Sequence, residues 1–325
     1  MRQTVRMRAV VYDRYGGPER LRLEDIPVPT PGPGQVLVEI VATAVNLSDW
    51  ESLTGKPGYA RIAGLFVPRR PVLGSDFAGR IVGVGPEVTG FRVGDEVYGD
   101  NLLLKGGFAE YAVAPQSVLA LKPPSLSFAQ AATIPQSGAI AVQAIAKARA
   151  GERMLINGAG GGTGAFAIQL AKASGLHVTG VDTAAKLDFM RELGADAVID
   201  FRAADFTRTG PYDVIIDLVA LRSVFAYRRA LAPGGRYFMV GGTARALLRL
   251  LTLGSLVGML SGRRLGVLFV QEGPAQFVRL ADRIVAGDVA VRIDRTFALQ
   301  NAAEALEYHG RGLALGKVVV VTGIE

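Results

Sequence analysis

The chain has 325 residues, half of them apolar, with a formal net charge of +7 and a pI near 9.8. Such a length and apolar share suit roughly two domains with buried cores. Cysteine is absent, which excludes disulfides, thiolate nucleophiles and every cysteine-containing zinc site. The only histidines, His177 and His309, open a predicted strand and end a predicted helix, so both are expected to be structural or exposed. The positive charges are dispersed, densest at Arg69-Arg70, Arg228-Arg229 and Arg263-Arg264, and no aromatics interleave them. A solvated surface is therefore expected and no nucleic acid partner. No long uncharged apolar run exists, since Arg249 and Arg263 bracket the greasiest stretch, and no apolar segment follows Arg2 and Arg6. The expected location is cytoplasmic.

From Met7 to about Pro124 the pattern is β-rich. Strands are predicted at Arg8–Asp13, Gln35–Val45, Phe77–Val84, Phe108–Val113 and Val118–Leu121, with Pro/Gly turns at Pro27–Gly34, Gly83–Pro86 and Val93–Asp95. An antiparallel, barrel-like unit follows from that order. From about Ser127 the period changes to a helix over Phe128–Ala148. Strand Arg153–Asn157 then runs into Gly158-Ala-Gly-Gly-Gly-Thr-Gly164, helix Ala165–Ser174 and strand His177–Asp182. Next come helix Ala184–Leu193, strands Ala197–Phe201 and Asp213–Val219, helix Arg222–Leu231 and strand Arg236–Gly241. This alternation predicts an α/β doubly wound parallel sheet. A leucine-rich helical segment (Ala244–Gly262), strand Gly266–Val270 and amphipathic helix Pro274–Ala286 follow, then strand Val291–Phe297, helix Ala302–Tyr308 and strand Lys317–Thr322. The order suggests a dinucleotide domain, residues 127–271, inserted in a β-domain of residues 1–126 plus 272–325.

A strand, a glycine turn, a helix and a second strand ending in an acid form the context in which glycines become a dinucleotide site. Gly160, Gly161, Gly162, Thr163 and Gly164 allow a tight turn and close approach to a pyrophosphate, and the helix start offers unpaired N–H groups. Asp182 stands where an acid would accept the adenosine ribose hydroxyls.

Motifs spread over nearly the whole chain resemble the zinc-independent quinone oxidoreductase branch of the medium-chain dehydrogenase/reductase superfamily. They are Met7-Arg-Ala-Val-Val with Tyr15-Gly-Gly-Pro18, Val45-Asn46 through Asp49-Trp50, Pro71–Gly79, Phe91–Gly99, Gly107–Tyr111, the glycine turn and Gly316-Lys-Val-Val319. The resemblance implies a chaperonin-10-like (GroES-like) β-barrel domain carrying a Rossmann domain, with the cofactor in the cleft between them, and a homodimer. Metal-dependent members carry a cysteine, a Gly-His-Glu and a second cysteine where this chain has Asn46, Gly74-Ser75-Asp76 and about Thr133. One carboxylate cannot hold a tetrahedral zinc, so no zinc is expected.

Without a metal, hydride transfer from NADH or NADPH to a quinone or α,β-unsaturated carbonyl fits, because the conjugated acceptor delocalises the developing charge. By resemblance, Asn46 and Ser75 are candidate donors near the carbonyl oxygen, and Trp50 and Tyr59 candidate walls. Asn46 could equally bond a loop, Ser75 could cap the next segment, and Trp50 and Tyr59 could be core packing. Relatives with Gly-Leu-Thr-Ala near the nicotinamide correspond to Ser137-Gly-Ala-Ile140, so Ser137 is the candidate hydroxyl. Val240, Gly241 and Gly242 match positions beside the nicotinamide ribose. Lys317 either approaches the cofactor phosphates or is solvated, the second being preferred.

Asp182 favours NADH by repelling a 2′-phosphate, while Lys186 and the resemblance favour NADPH; Phe201 stands where a polar phosphate contact is usual. The two signals conflict, and use of both cofactors is expected. Two alternatives are an enoyl-thioester reductase and, in another class, a peripheral membrane-associated nucleotide-binding protein with little turnover. The basic-flanked apolar stretch Ala246–Arg264 motivates the second through a weak membrane contact; coverage by a partner copy or over the cleft is the preferred account of that stretch.

Overall fold

The structure, a computed structural model, describes residues 5–62 and 64–324. Among these, one unit holds the residues up to Ala139, Glu272–Gly287 and those from Ile293, and the other holds Ile140–Gln271 and Asp288–Arg292.

In the first unit, β1 (Arg6–Val11) pairs antiparallel with β2 (Arg22–Pro27). The sequence pattern misses β2 because it is largely exposed and charged, with no apolar face to betray it. Next come β3 (Gln35–Ala44), α1 (Leu47–Thr54), β4 (Asp76–Val84), β5 (Glu96–Asp100), β6 (Tyr111–Pro115) and β7 (Leu119–Leu121). Strand β6 starts three residues later than Phe108 because Phe108 and Ala109 bridge β1 instead. The first half of β3 alternates, burying Val36, Val38 and Ile40 on one face. At Ala42–Ala44 both faces are buried, and there Ala44 lies opposite Asp76 of β4.

The helix expected over 128–148 is two helices, α2 (Phe128–Ala132) and α3 (Pro135–Ile145). Ser127 and Gln130 cap α2 reciprocally. Pro135 lacks an N–H and cannot continue a helix, but suits the first turn of a new one. Both α2 and the start of α3 belong to the first unit, so the helical period begins before the second unit does.

The second unit's strands are β8 (Arg153–Asn157), β9 (His177–Asp182), β10 (Ala197–Asp200), β11 (Tyr212–Asp217), β12 (Leu231–Met239) and β13 (Arg264–Val267). They form one parallel sheet in the order β10-β9-β8-β11-β12-β13. Burial on both faces explains the continuous apolar runs Met154–Ile156 and Val214–Ile216. The connecting helices are α4 (Gly162–Ala173), α5 (Leu187–Glu192) and α6 (Val224–Ala230). Beyond β12, α7 (Ala244–Arg249), a π-helical turn (Leu250–Gly254) and α8 (Ser255–Ser261) are continuous. Gly262, left-handed at φ +63°, ends that run, and β13 therefore starts at Arg264, two residues before the predicted Gly266.

The chain then returns to the first unit. Helix α9 (Pro274–Val285) sets Phe277 edge-on to Tyr98. Strand β14 (Ile293–Ala298) pairs with β15 (Lys317–Val321), and α10 (Ala302–Gly310) lies between them in sequence. Strand β15 pairs with the C-terminal half of β3, completing the order β14-β15-β3-β4-β5-β7 with β6 also on β3.

Candidate functional site

Strand order reverses between β8 and β11, the switch point at whose strand ends open α/β sheets bind ligands. Both strands end in polar residues, Asn157 and Asp217. Asp217 is fully buried and accepts hydrogen bonds from Asn157 Nδ2 (2.8 Å), Val219 N–H (3.0 Å), Ala220 N–H (2.7 Å) and the Tyr237 hydroxyl (3.1 Å). Burial and the Asp217 charge push the Tyr237 hydroxyl well up, so it stays a donor. The polar endings of two apolar runs were the available sequence signal for this pair.

The turn after β8 starts at Gly158, with φ +86°. Gly161 precedes the first residue of α4, Gly162, and Thr163 is half-buried in the first turn. The first N–H groups of a helix have no intrahelical acceptor, which suits an anion. A Cβ at Gly164 would lie 2.5 Å from the backbone of Ala159, so only glycine lets turn and helix approach this closely.

Asp182 ends β9 and faces the same turn. Its Oδ2 accepts the Gly160 N–H at 3.0 Å, its Oδ1 accepts the Thr183 N–H at 2.8 Å, and Lys186 Nζ lies 3.8 Å away. Lys186 is buried, its stem lying 2.6 Å from where a Gly160 Cβ would be. The two residues whose cofactor preferences conflict are thus an ion pair laid across the glycine turn. Phe201 packs on the unit's apolar core, and its N–H donates to the Asp182 carbonyl. Val240 donates its N–H to the Asp217 carbonyl at 2.8 Å, and Gly241 and Gly242 follow at the end of β12. The second unit thus offers a cradle that fits a dinucleotide.

In the first unit, Asn46 precedes α1 and its N–H donates to Asp49 Oδ2 at 3.1 Å. Asp49, fully buried, also accepts the Gly74 N–H at 3.1 Å and Lys105 Nζ at 3.3 Å. Asn46 Oδ1 accepts a 2.6 Å hydrogen bond from Lys317 Nζ, which also donates to Ser137 Oγ at 3.1 Å and lies 3.9 Å from Asp76 Oδ2. The expectation that Lys317 is solvated is therefore wrong: it is 2% exposed, because β15 is interior to its sheet and turns this side chain inward. Asp76 accepts the Gln136 N–H at 3.1 Å from the first turn of α3. Gln136 Nε2 reaches Asp100 at 3.3 Å.

Burial raises the Asp76 carboxyl well above the usual range, reinforced by the Asp100 charge and opposed by Lys317. Burial likewise pushes Asp100 up to about 6, and lowers Lys317 against the pull of Asp76, Asp49 and Asp100. Three carboxyls face two ammonium groups, Lys105 and Lys317, so one protonated carboxyl leaves the cluster neutral.

Ser75 is fully buried and caps nothing, since strand β4 follows it. It faces Asp100 and holds that carboxyl down, though short of hydrogen-bond geometry. Trp50 lies against the first unit's core with its ring over Gly310, where a Cβ would sit 2.3 Å from it. Tyr59 is 37% exposed and donates its hydroxyl to Glu51 Oε1 at 3.2 Å; burial and that carboxylate push the phenol up to about 12. Asn46, expected beside the acceptor, and Ser137, expected beside the nicotinamide, are brought together by a shared lysine, and Ser75 stands beside the same carboxyl cluster. Asp49, Asp100, Lys105 and Gln136 were missed, lying in four separate segments without a shared local pattern.

A barrel-like β unit with a buried polar centre and a parallel-sheet unit with a glycine cradle define a dehydrogenase/reductase of the dinucleotide-using class. Residues 32–124 match the family model of the alcohol dehydrogenase GroES-like domain, and residues 193–320 match that of the zinc-binding dehydrogenases. A chloroplastic quinone-oxidoreductase from Triphysaria versicolor is 32% identical over 97% of this chain and 98% of its own. A 2-methylene-furan-3-one reductase from Solanum lycopersicum is 32% identical over 97% of this chain and 79% of its own. The solved quinone oxidoreductase of Coxiella burnetii superposes with a TM-score of 0.89 at 29% identity, over 98% of this chain and all of its own. The chain belongs to the medium-chain dehydrogenase/reductase superfamily, in its quinone oxidoreductase branch. The zinc in that domain description does not fit the residues present: Asn46, Ser75 and Thr133 supply no thiolate or imidazole, and Asp76 already faces a lysine. Among the described residues no group of three or more His, Cys, Asp or Glu could hold a metal.

Proposed function

We propose that this chain is a zinc-independent, NAD(P)H-dependent reductase of quinones or α,β-unsaturated carbonyls. The observation that carries it is the buried Lys317–Asn46–Ser137 network, in which Asn46 stands at a position that metal-dependent relatives fill with a ligand. When bound, the reduced nicotinamide supplies the hydride. The glycine turn and the start of α4 hold its pyrophosphate, and Val240–Gly242 lie beside its ribose. Asn46 and Ser75 are the hydrogen-bonding groups for the acceptor carbonyl, and Ser137 is the hydroxyl on the nicotinamide side. Enoyl thioesters are conjugated acceptors of the same kind, and the name of the tomato relative, an enone reductase, supports this substrate class.

Use of both NADH and NADPH is part of the proposal. The Asp182–Lys186 pair supports it, because a carboxylate already facing an ammonium at 3.8 Å repels a 2′-phosphate less than a lone one. We also propose a homodimer formed through the second unit, where β13 leaves one sheet edge open and Leu248, Leu256, Met259 and Leu260 are exposed on α7 and α8.

The test is steady-state oxidation of NADH and NADPH with 1,4-benzoquinone, 9,10-phenanthrenequinone and a panel of enones. Saturable turnover with at least one acceptor class is expected. Saturable cofactor binding with no turnover across the panel would overturn the proposal and favour the nucleotide-binding alternative.

A further inference from the structure

The first unit carries an apolar cluster on its surface, in the loop that follows α1. Ile62 and Phe66 are each 86% exposed, more than any other large apolar residue among those described, and Leu65 and Val67 beside them are exposed as well. Single exposed apolar side chains are ordinary, whereas a contiguous cluster marks a surface that meets an apolar partner. The loop is held in place. The Tyr15 hydroxyl donates to the Gly64 carbonyl, the Gly64 N–H to the Arg61 carbonyl at 2.9 Å, and Arg61 Nε to the Gly55 carbonyl at 3.0 Å. A Cβ at Gly64 would collide with the Val67 carbonyl oxygen, so the chain turns tightly around Leu65 and Phe66.

The charge around this cluster has one sign. From Ser52 to Ser75 the chain carries Lys56, Arg61, Arg69 and Arg70 and no acidic residue. Arg61 lies 4.6 Å over the Tyr15 ring, while Lys56, Arg69 and Arg70 are exposed and pair with no carboxylate among the described residues. Glu51, just before the stretch, accepts the Tyr59 hydroxyl.

We propose that this loop docks on an anionic bilayer: Ile62, Leu65, Phe66 and Val67 enter the boundary between headgroups and acyl chains, and Lys56, Arg69 and Arg70 meet the lipid phosphates. A bilayer joins an apolar interior to an anionic surface, the two chemistries that the loop presents. An irregular turn gives a protein partner neither a strand edge to extend nor a helix face to seat in a groove. A second copy docked symmetrically would bring the same unpaired cations against each other. The surface is separate from the helical run Ala244–Ser261 of the second unit, and its role does not depend on turnover.

The test is flotation of the full chain with phosphatidylcholine vesicles, with and without phosphatidylglycerol. Wild type should float with the anionic vesicles, and less so as salt screens the cations. Leu65→Asp with Phe66→Asp should lower the partition coefficient at least about tenfold, because two apolar anchors are lost and like charge meets the headgroups. Arg69→Ser with Arg70→Ser should lower it at least about fivefold on anionic vesicles. All four side chains are exposed, so Tm should stay within about 2 °C of wild type in both variants. Leu256→Glu with Leu260→Glu should still float. Wild type that does not float, a Leu65/Phe66 variant that floats like wild type, or binding lost only in the Leu256/Leu260 variant would each overturn the proposal. A Leu65/Phe66 variant that keeps vesicle binding but falls in mass by sedimentation velocity would assign the loop to a second copy. One that keeps vesicle binding but has a raised KM for 1,4-benzoquinone would assign it to the acceptor; either result overturns the membrane role.

Discussion

Asp182→Ser probes the ion pair across the glycine turn. The variant removes the acceptor of the Gly160 N–H (3.0 Å), that of the Thr183 N–H (2.8 Å) and the carboxylate beside Lys186 (3.8 Å). A buried donor left unpaired costs about 1–3 kcal/mol, and a lysine deprived of its carboxylate costs a similar amount where, as here, its side chain is only 7% exposed. The unliganded protein should therefore lose roughly 2–5 kcal/mol, a fall in Tm of about 5–15 °C for a unit of this size. Cofactor preference should move independently of that loss. Removing a charge about 4 Å from a 2′-phosphate relieves about 1–4 kcal/mol at surface-like to water-like dielectric. The ratio of kcat/KM for NADPH to that for NADH should rise at least about tenfold. Asp182→Asn is the control: it keeps an acceptor oxygen, so its Tm should fall less, while the preference should shift comparably. Differential scanning fluorimetry and steady-state kinetics read the two effects. A cofactor ratio unchanged in both variants, whatever happens to Tm, would show that Asp182 only secures the turn.

Asp100 supplies a pH-dependent test. Its carboxyl is pushed up to about 6 by burial, against about 3.9 in the unfolded chain, so the folded state binds the extra proton between those values. Native stability is then fully present below the unfolded value and lost as pH rises through 6. Asp100→Asn should gain about 1 kcal/mol relative to wild type between pH 5 and pH 8 in urea unfolding; parallel pH profiles would refute the shift. For the dimer, sedimentation velocity should give twice the 34.3 kDa chain mass, and Leu256→Glu with Leu260→Glu should give monomer. Monomeric wild type whose pelleting with anionic liposomes is abolished by Leu256→Glu with Leu260→Glu would instead support the membrane contact suggested by the exposed 18-residue helical run Ala244–Ser261.

Local rules were enough to place the β8–α4–β9 unit from sequence. Apolar strands, a glycine turn and a terminal acid are all set within thirty residues, Arg153 to Asp182. The absence of cysteine by itself likewise rules out thiolate ligation. The break between α2 and α3 was also written locally, in Ser127 and Pro135, but periodicity alone runs straight through it. Strand β2 left no mark because an exposed edge strand has no apolar face to alternate. The way the buried polar centre of the first unit is wired was not legible in the sequence for a different reason. Asn46, Asp76, Asp100, Lys105, Ser137 and Lys317 belong to separate segments, and nothing near Lys317 in the chain separates a buried ammonium from a solvated one. That difference arises only when β15 is laid beside β3, which pairs Val319 with Ala44, and Lys317 is left buried. Lys317 must then find Asn46, Ser137 and Asp76, because a buried charge without partners costs more than the fold can offset. What the sequence determined by itself was the dinucleotide cradle and the missing zinc ligands, both encoded by neighbouring residues or by composition. The buried polar centre around Lys317 was decided by tertiary structure alone, because burial and hydrogen bonding between distant segments are properties of the packed fold.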